Sequence, residues 1–138
     1  MSQIRRVTAS GAPEPPEKRW SNCLVVGDIA YISGQTGRAA DGGGTGVNGP
    51  NDYLQSLAIF TKIKALVEAA GGNMADIVKL TVFVTDIRRR EQVWQARSEF
   101  FEGDFPSSSL VEVSKLADPA VTVEIEAIAH IGCSRTLQ

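Results

Sequence analysis

The sequence predicts an α+β protein in which a mixed β-sheet is covered on one face by two helices. From Val121 to Ile131 the apolar residues occupy alternate positions, which is the pattern of a strand with one face in a core. From Asn51 to Ala70 apolar residues recur at steps of three and four, which is typical of an amphipathic helix. Elements of both kinds in one chain pack well when the helices cover one side of the sheet.

Length and composition predict one soluble domain spanning residues 1–138. Hydrophobic residues make up 43% of the chain and charged residues 22%, and no linker or internal repeat divides it. The formal net charge is −2. A nucleic-acid-binding domain normally carries a basic face, so the composition argues against that class.

The spacing of the cysteines and the lack of long apolar segments indicate the cellular compartment. Cys23 and Cys133 are far apart and form no CxxC motif, and no stretch approaches the roughly 20 apolar residues that span a bilayer. No apolar leader follows Met1. We therefore expect a reduced, cytoplasmic protein with free thiols.

The N-terminal half predicts strands separated by loops. A first strand is expected at 4–9, a proline-rich loop at 11–18, and a hairpin of 23–26 and 29–33 around Gly27-Asp28. The glycine-rich segment 41–49 contains a GxGxxG pattern at 44–49. It neither follows a strand directly nor opens a helix, so we expect a surface loop and no cofactor.

The C-terminal half predicts two long helices and three strands. The first helix, 51–70, is capped by Asn48 or Asn51 and ended by Gly71-Gly72, and a strand is expected over 76–85. A second helix should span 87–102. Two further strands, around 109–113 and 121–131, should then form a hairpin through the loop 116–119.

One face of the sheet is left uncovered in this arrangement. The alternation places Phe83, Leu110 and Ile128 on that face. An apolar sheet face without a cover indicates oligomerisation.

Two carboxylates, Glu124 and Glu126, stand on the same face of the last strand. They fit either a solvated face or a face that meets another subunit, with one carboxylate at the rim of a site. A metal site is not expected, because His130 is the only histidine and the two cysteines are isolated. A lone histidine at a strand end is more often structural, and no nucleophile elbow accompanies it.

The segments FPSSSLVEV and VTVEIEAIA resemble the C-terminal signature of the RidA/YjgF family, also called the endoribonuclease L-PSP family. IAYISGQTG at 29–37, ALVEAAGGNMADIVKLTVFVTD at 65–86 and the Phe100-Phe101 pair match it too, so the similarity runs from about residue 20 to 130. The resemblance implies a chorismate-mutase-like α+β fold. It also implies a homotrimer with cofactor-free small-molecule sites between subunits.

The resemblance also implies a set of site residues. The family's glutamate, proposed to position or activate water, matches Glu124 as the catalytic residue. Its substrate-binding positions match Trp20, Ser33, Gly34, Trp94, Ser108 and Ser109. Ser108 stands where deaminating members have an arginine that grips the substrate carboxylate, while Trp20 and Trp94 replace a tyrosine and an asparagine. We therefore expect a pocket with more aromatic surface and less positive charge.

Three functions follow from these residues. The first is hydrolytic deamination of a reactive enamine or imine other than small 2-imino acids. The alternative is a non-catalytic metabolite-binding or regulatory trimer that uses the same pocket. Ribonuclease activity or translation inhibition, which the older family name implies, fits least because the chain is slightly acidic.

Overall fold

The computed structural model describes residues 3–38 and 51–134. The described chain contains the strands β1 (Ile4–Val7), β2 (Cys23–Val26), β3 (Ile29–Thr36), β4 (Ile77–Val84), β5 (Ser107–Glu112) and β6 (Val123–His130), and the helices α1 (Asp52–Ala69) and α2 (Arg90–Ser98). Short 3₁₀ turns, Met74–Asp76 and Ile87–Arg89, precede β4 and α2. The GxGxxG pattern at 44–49 lies outside the described residues.

The six strands form one mixed sheet in the order β1-β2-β3-β6-β4-β5. The β4–β5 pair is parallel, and every other neighbouring pair is antiparallel. The two helices pack on each other, and α1 packs on β3 and β6. This confirms the predicted mixed sheet with helices on one face. No helix in the described ranges combines the length and apolarity needed to cross a membrane.

Helix α1 has the ends that the sequence predicts. The Asn51 side chain accepts a hydrogen bond from the Leu54 N–H at 2.9 Å, which caps the first turn. At the other end Gly71 has a φ of +101°, and the Gly72 N–H donates to the Val67 carbonyl at 2.9 Å. This is a Schellman termination, which favours glycine at the left-handed position.

The predicted C-terminal hairpin is wrong, because β5 and β6 do not pair with each other. β4 lies between them and is parallel to β5 and antiparallel to β6. The segment 113–122 carries the chain past the end of β4. Periodicity reports which face of a strand is buried, but it does not report which strand lies next to it.

The phase of β5 also differs from the prediction. Leu110 pairs with the buried Val82 and packs against the core, so it lies on the helix side of the sheet. Val111 pairs with Phe83 and is 44% exposed on the open face. Leu110 and Val111 are adjacent and both apolar, so alternation alone could not show which of the two is buried. Phe83 and Ile128 do alternate with buried residues, as predicted.

The second helix is shorter than predicted. The segment 87–89 forms a 3₁₀ turn, and α2 ends at Ser98. Phe100 and Phe101 follow the helix, and their rings pack on Phe60 with centroid distances of 5.4 and 5.9 Å. The aromatic pair therefore contributes to the core from a loop.

β4 begins with an irregularity that the predicted alternation missed. The pairing with β6 shifts register between Ile77 and Lys79. Ile77 is buried, and Val78 is exposed although the alternation had placed it with the core residues. Beyond the shift the predicted alternation holds, with Leu80, Val82 and Val84 buried.

Candidate functional site

The centre of the candidate site is a close contact between Gly34 and Glu124. In the β3–β6 ladder Ile32 pairs with Ala127 and Gln35 pairs with Ile125, so β3 holds one extra residue between these pairs. Ser33 and Gly34 form this β-bulge. A Cβ on Gly34 would lie 2.6 Å from Oε2 of Glu124 and 2.8 Å from its Cδ. The glutamate side chain therefore lies directly against the glycine backbone.

A hydrogen-bonded loop holds this bulge in place. The Ser33 N–H donates to the Asn22 carbonyl at 2.9 Å, and the Ser33 hydroxyl donates to the Ser21 carbonyl at 2.5 Å. The buried side chain of Asn22 donates to the carbonyl of Pro13 at 2.9 Å and accepts from Gln35 Nε2 at 3.3 Å. These bonds join β3 to the proline-rich loop and fix the segment that carries Trp20.

A cavity of about 550 Å³ opens beside Gly34 and Glu124. It is lined by Pro13, Glu14, Pro15, Pro16, Trp20, Asn22, Gly34, Gln35, Thr36, Arg38, Lys62, Ala117 and Glu124. Trp20 is 54% exposed, so its indole ring is available to a ligand. We call this space the Glu124 cavity.

Burial changes the acidity of Glu124. The half-buried position raises the pKa of its carboxyl group above the ordinary value, and the nearby negative charge of Glu126 raises it further. Among the described residues no donor forms a hydrogen bond to this carboxylate. A carboxylate with a raised pKa is a stronger base than an exposed one, and it can accept a proton from a bound water.

Glu126 lies in a different environment. It is exposed and lines a second space of about 430 Å³ on the open sheet face, together with Trp20, Ser33, Lys79 and others. The two glutamates share a strand face but line different spaces. Glu124 therefore lies beside Gly34, and Glu126 shares a space with Ser33.

The remaining predicted site residues lie elsewhere in the chain. Ser108 and Ser109 are exposed on the edge strand β5 and line neither of these two spaces. Ser108 pairs with Leu80 on the helix side of the sheet, whereas the Ser109 hydroxyl accepts from Lys79 Nζ at 3.1 Å. Trp94 lies on α2, with the Arg90 guanidinium 5.8 Å from its ring centroid. Of the predicted site residues, the described part of the chain brings together Trp20, Ser33, Gly34 and Glu124.

Two cationic residues of the Glu124 cavity were missed by the sequence reasoning. Lys62 is only 8% exposed, and its ammonium donates to the carbonyls of Thr36 at 2.8 Å and Arg38 at 2.7 Å. Arg38 itself lines the cavity. The sequence could have indicated Lys62 through its position in the helix. Lys62 lies three residues after Ile59 and one before Ile63, on the buried face of α1.

The N-terminus of α1 fixes the start of β6 two residues before Glu124. Gln55 donates to the Ala120 carbonyl at 3.1 Å and accepts from the Thr122 N–H at 3.0 Å. The buried Asp52 accepts from the Thr122 hydroxyl at 2.6 Å and from Arg89 Nε at 3.1 Å. These contacts tie the segment that leads into Glu124 to the helix, while Glu124 itself pairs with Thr36 and Phe83 in the sheet.

The cysteines and the histidine do not line the Glu124 cavity. Burial raises the pKa of the Cys23 thiol to about 11, which makes it unreactive at neutral pH. Cys133 is exposed and free, in a turn held by hydrogen bonds from Gly132 and Ser134 to Asp76. His130 is exposed at the end of β6. Within residues 3–38 and 51–134, no three His, Cys, Asp or Glu side chains are grouped as metal ligands.

The fold and the site define a class of protein, namely a two-layer α+β fold with a carboxylate-lined cavity beside a glycine bulge. Comparison with known families is more specific. The model of the family described as Endoribonuclease L-PSP matches residues 11–131. The chain belongs to this family, which is also known as RidA/YjgF.

Individual relatives agree over nearly the whole chain. A protein of the mite Dermatophagoides farinae named 2-iminobutanoate/2-iminopropanoate deaminase is 36% identical over 132 residues, which cover 95% of this chain and 99% of the relative. A solved structure of a protein of unknown function from Pseudomonas aeruginosa is 40% identical with a TM-score of 0.83, covering 96% of this chain and 95% of that one. YyfA from Yersinia pestis, of the conserved Rid family, is 31% identical with a TM-score of 0.85, covering 94% and 100%. These structures confirm the YjgF-type α+β fold.

Proposed function

We propose that this protein hydrolyses a reactive enamine or imine to a carbonyl compound and ammonia, at sites between the subunits of a homotrimer. The observation that supports this most strongly is the position of Glu124. Its carboxylate contacts the backbone of Gly34 and lines an open cavity. Burial raises the pKa of this carboxyl group. The name of the mite relative supports the reaction class.

Glu124 acts as the general base in this proposal. It accepts a proton from water while the water oxygen bonds to the C=N carbon and the π electrons move to nitrogen. The protonated Glu124 then returns this proton to the nitrogen, which gives a carbinolamine. The hydroxyl proton of the carbinolamine passes to the nitrogen as the C–N bond breaks, so ammonia leaves as the C=O bond forms. General base catalysis of this kind contributes roughly 100-fold to 10,000-fold in rate.

A neighbouring subunit completes the site. Within one chain the Cα atoms of Ser108 and Glu124 are separated by two strand spacings and three residues, roughly 14 Å by standard sheet dimensions. A side chain of Ser108 cannot cross that distance. The exposed apolar residues of the open sheet face, among them Tyr31 and Val111, provide a surface for subunit contact.

A direct test is the loss of freshly generated imines, with ammonia release as the second readout. Imines are produced in situ by an amino-acid oxidase from a panel of amino acids. Glu124→Gln should lower the catalysed rate by about 100-fold or more, because the amide cannot accept the proton. Glu126→Gln is the matched control and should retain most of the activity. No catalysis on any imine of the panel would overturn the proposal.

The second candidate is a metabolite-binding trimer without turnover, and the observation that favours it is the serine at 108. A hydroxyl cannot offset the desolvation of a carboxylate as a guanidinium does. The test is Ser108→Arg combined with Trp94→Asn, assayed on the imine of leucine. We expect the double variant to gain partial activity over the wild type. A folded, trimeric double variant that is as inert as the wild type would favour the binding protein.

A further inference from the structure

The Glu124 cavity contains an unusual arrangement of positive charge. The ammonium of Lys62 is nearly buried in the cavity wall, and Arg38 lines the same space. The cationic side chain of Arg38 is close enough to lower the pKa of Lys62, although burial of the ammonium has the larger effect. Arg38 is an exposed residue, whereas Lys62 is nearly buried. Two like charges that line one cavity repel each other, and a bound anion would relieve this repulsion.

The described residues use only part of the hydrogen-bonding capacity of Lys62. An ammonium has three N–H donors, and the carbonyls of Thr36 and Arg38 accept two of them. Within residues 3–38 and 51–134 no acceptor is bonded to the third donor, so it is available to a ligand there. Among the described residues no carboxylate forms a salt bridge with Lys62 or Arg38.

The balance of charge around the cavity favours a singly charged anion. Of its two acidic residues, Glu14 is already paired with Arg6. One carboxylate, that of Glu124, then remains against two cations. The excess is one positive charge, which a single carboxylate neutralises.

We propose that Arg38 and Lys62 form an anion-binding end of the Glu124 cavity. They would hold the carboxylate of a small ligand whose apolar body lies against Trp20. Identifying this ligand as a substrate rests on the proposed function, whereas the binding itself does not. The substrate would be an imine that has a carboxylate and an apolar body. Its carboxylate would be bound by Arg38 and Lys62 instead of by a side chain at position 108.

The test uses a pair of probes that differ in charge. 3-Phenyl-2-oxopropanoate carries a carboxylate, and 1-phenylpropan-2-one has a methyl group in its place. Calorimetric titration of the intact wild-type protein at low ionic strength should show at least tenfold tighter binding of the acid. Arg38→Gln should abolish this preference. Lys64→Gln, on the exposed face of α1, is the matched control for the loss of one positive charge and should keep it.

Three results would overturn the proposal. They are equal or absent binding of both probes by the wild type, an unchanged preference in Arg38→Gln, and competition by inorganic phosphate as strong as that of the acid. The last would indicate a site for anions in general. Binding without any imine turnover would contradict the proposed reaction and leave the anion site intact. If imine turnover is the same in Arg38→Gln as in the wild type and the acid does not bind, the anion site is contradicted and the proposed reaction stands.

Discussion

Gly34 and Glu124 illustrate how a residue's role becomes clear only from its neighbours. The sequence alone predicts Glu124 and Glu126 on one strand face, and the alternating burial of β6 confirms this. The resemblance to a family selects Glu124 and Gly34. Structure supplies the physical reason, since the glutamate occupies the space of a missing Cβ. The bulge at Ser33 and Gly34 leaves no signal in periodicity.

Gly34→Ala should reduce turnover more than stability. The new Cβ would displace the end of a flexible side chain, so we expect a cost below about 1 kcal/mol in unfolding free energy. A displaced base should lower kcat by about 10-fold to 100-fold. Gly103→Ala is the converse control. Gly103 does not line the cavity and has a φ of +67°, so alanine strains the backbone, and this variant should lose stability while keeping its kcat. An unchanged kcat in Gly34→Ala would contradict the role of this contact.

At the scale of elements, local signals predicted the strands and helices well but not how they pair. The Asn51 cap, the Gly71 termination and the turn at Gly27, with its positive φ, all form as predicted from sequence. The insertion of β4 between β5 and β6 was missed because pairing depends on contacts between distant segments. The phase of β5 was missed because apolar residues lie on both of its faces.

The α1–β6 connection is the element-scale support of the site. Asp52→Ala would remove an acceptor from both Arg89 and Thr122 in a buried setting. We expect a loss of about 1–3 kcal/mol in unfolding free energy, since Thr122 loses its acceptor while Arg89 keeps its bond to Asp86. Urea denaturation at fixed protein concentration measures it. Glu68→Ala, which breaks an exposed pair with Lys64, should cost under about 1 kcal/mol. Equal losses in both variants would contradict this account.

At the scale of the whole molecule, the sheet has one face packed against helices and one face open. Tyr31 is 48% exposed and Val111 is 44% exposed on the open face. The sequence predicts this apolar face, although it misplaces Leu110. We propose that two further copies of the chain cover it and bring Ser108 towards Glu124.

Light scattering at micromolar concentration should give three times the 14.8 kDa mass of one chain. Tyr31→Glu should lower the mass, because the new carboxylate would be buried in the subunit contact without a partner. Leu54→Glu places the same charge on α1, on the helix side of the molecule, and should leave the mass unchanged. A wild-type mass near that of a single chain would contradict the proposed assembly.

The most direct test of the account is the pH dependence of imine hydrolysis. If Glu124 is the base, kcat/KM should rise with pH as its carboxyl group loses a proton. The midpoint should lie above the ordinary glutamate pKa, because burial and then Glu126 raise it. Glu126→Gln removes the second cause, so its midpoint should lie at lower pH than that of the wild type. An acid limb with the same midpoint in both proteins, or one that persists in Glu124→Gln, would contradict the central claim.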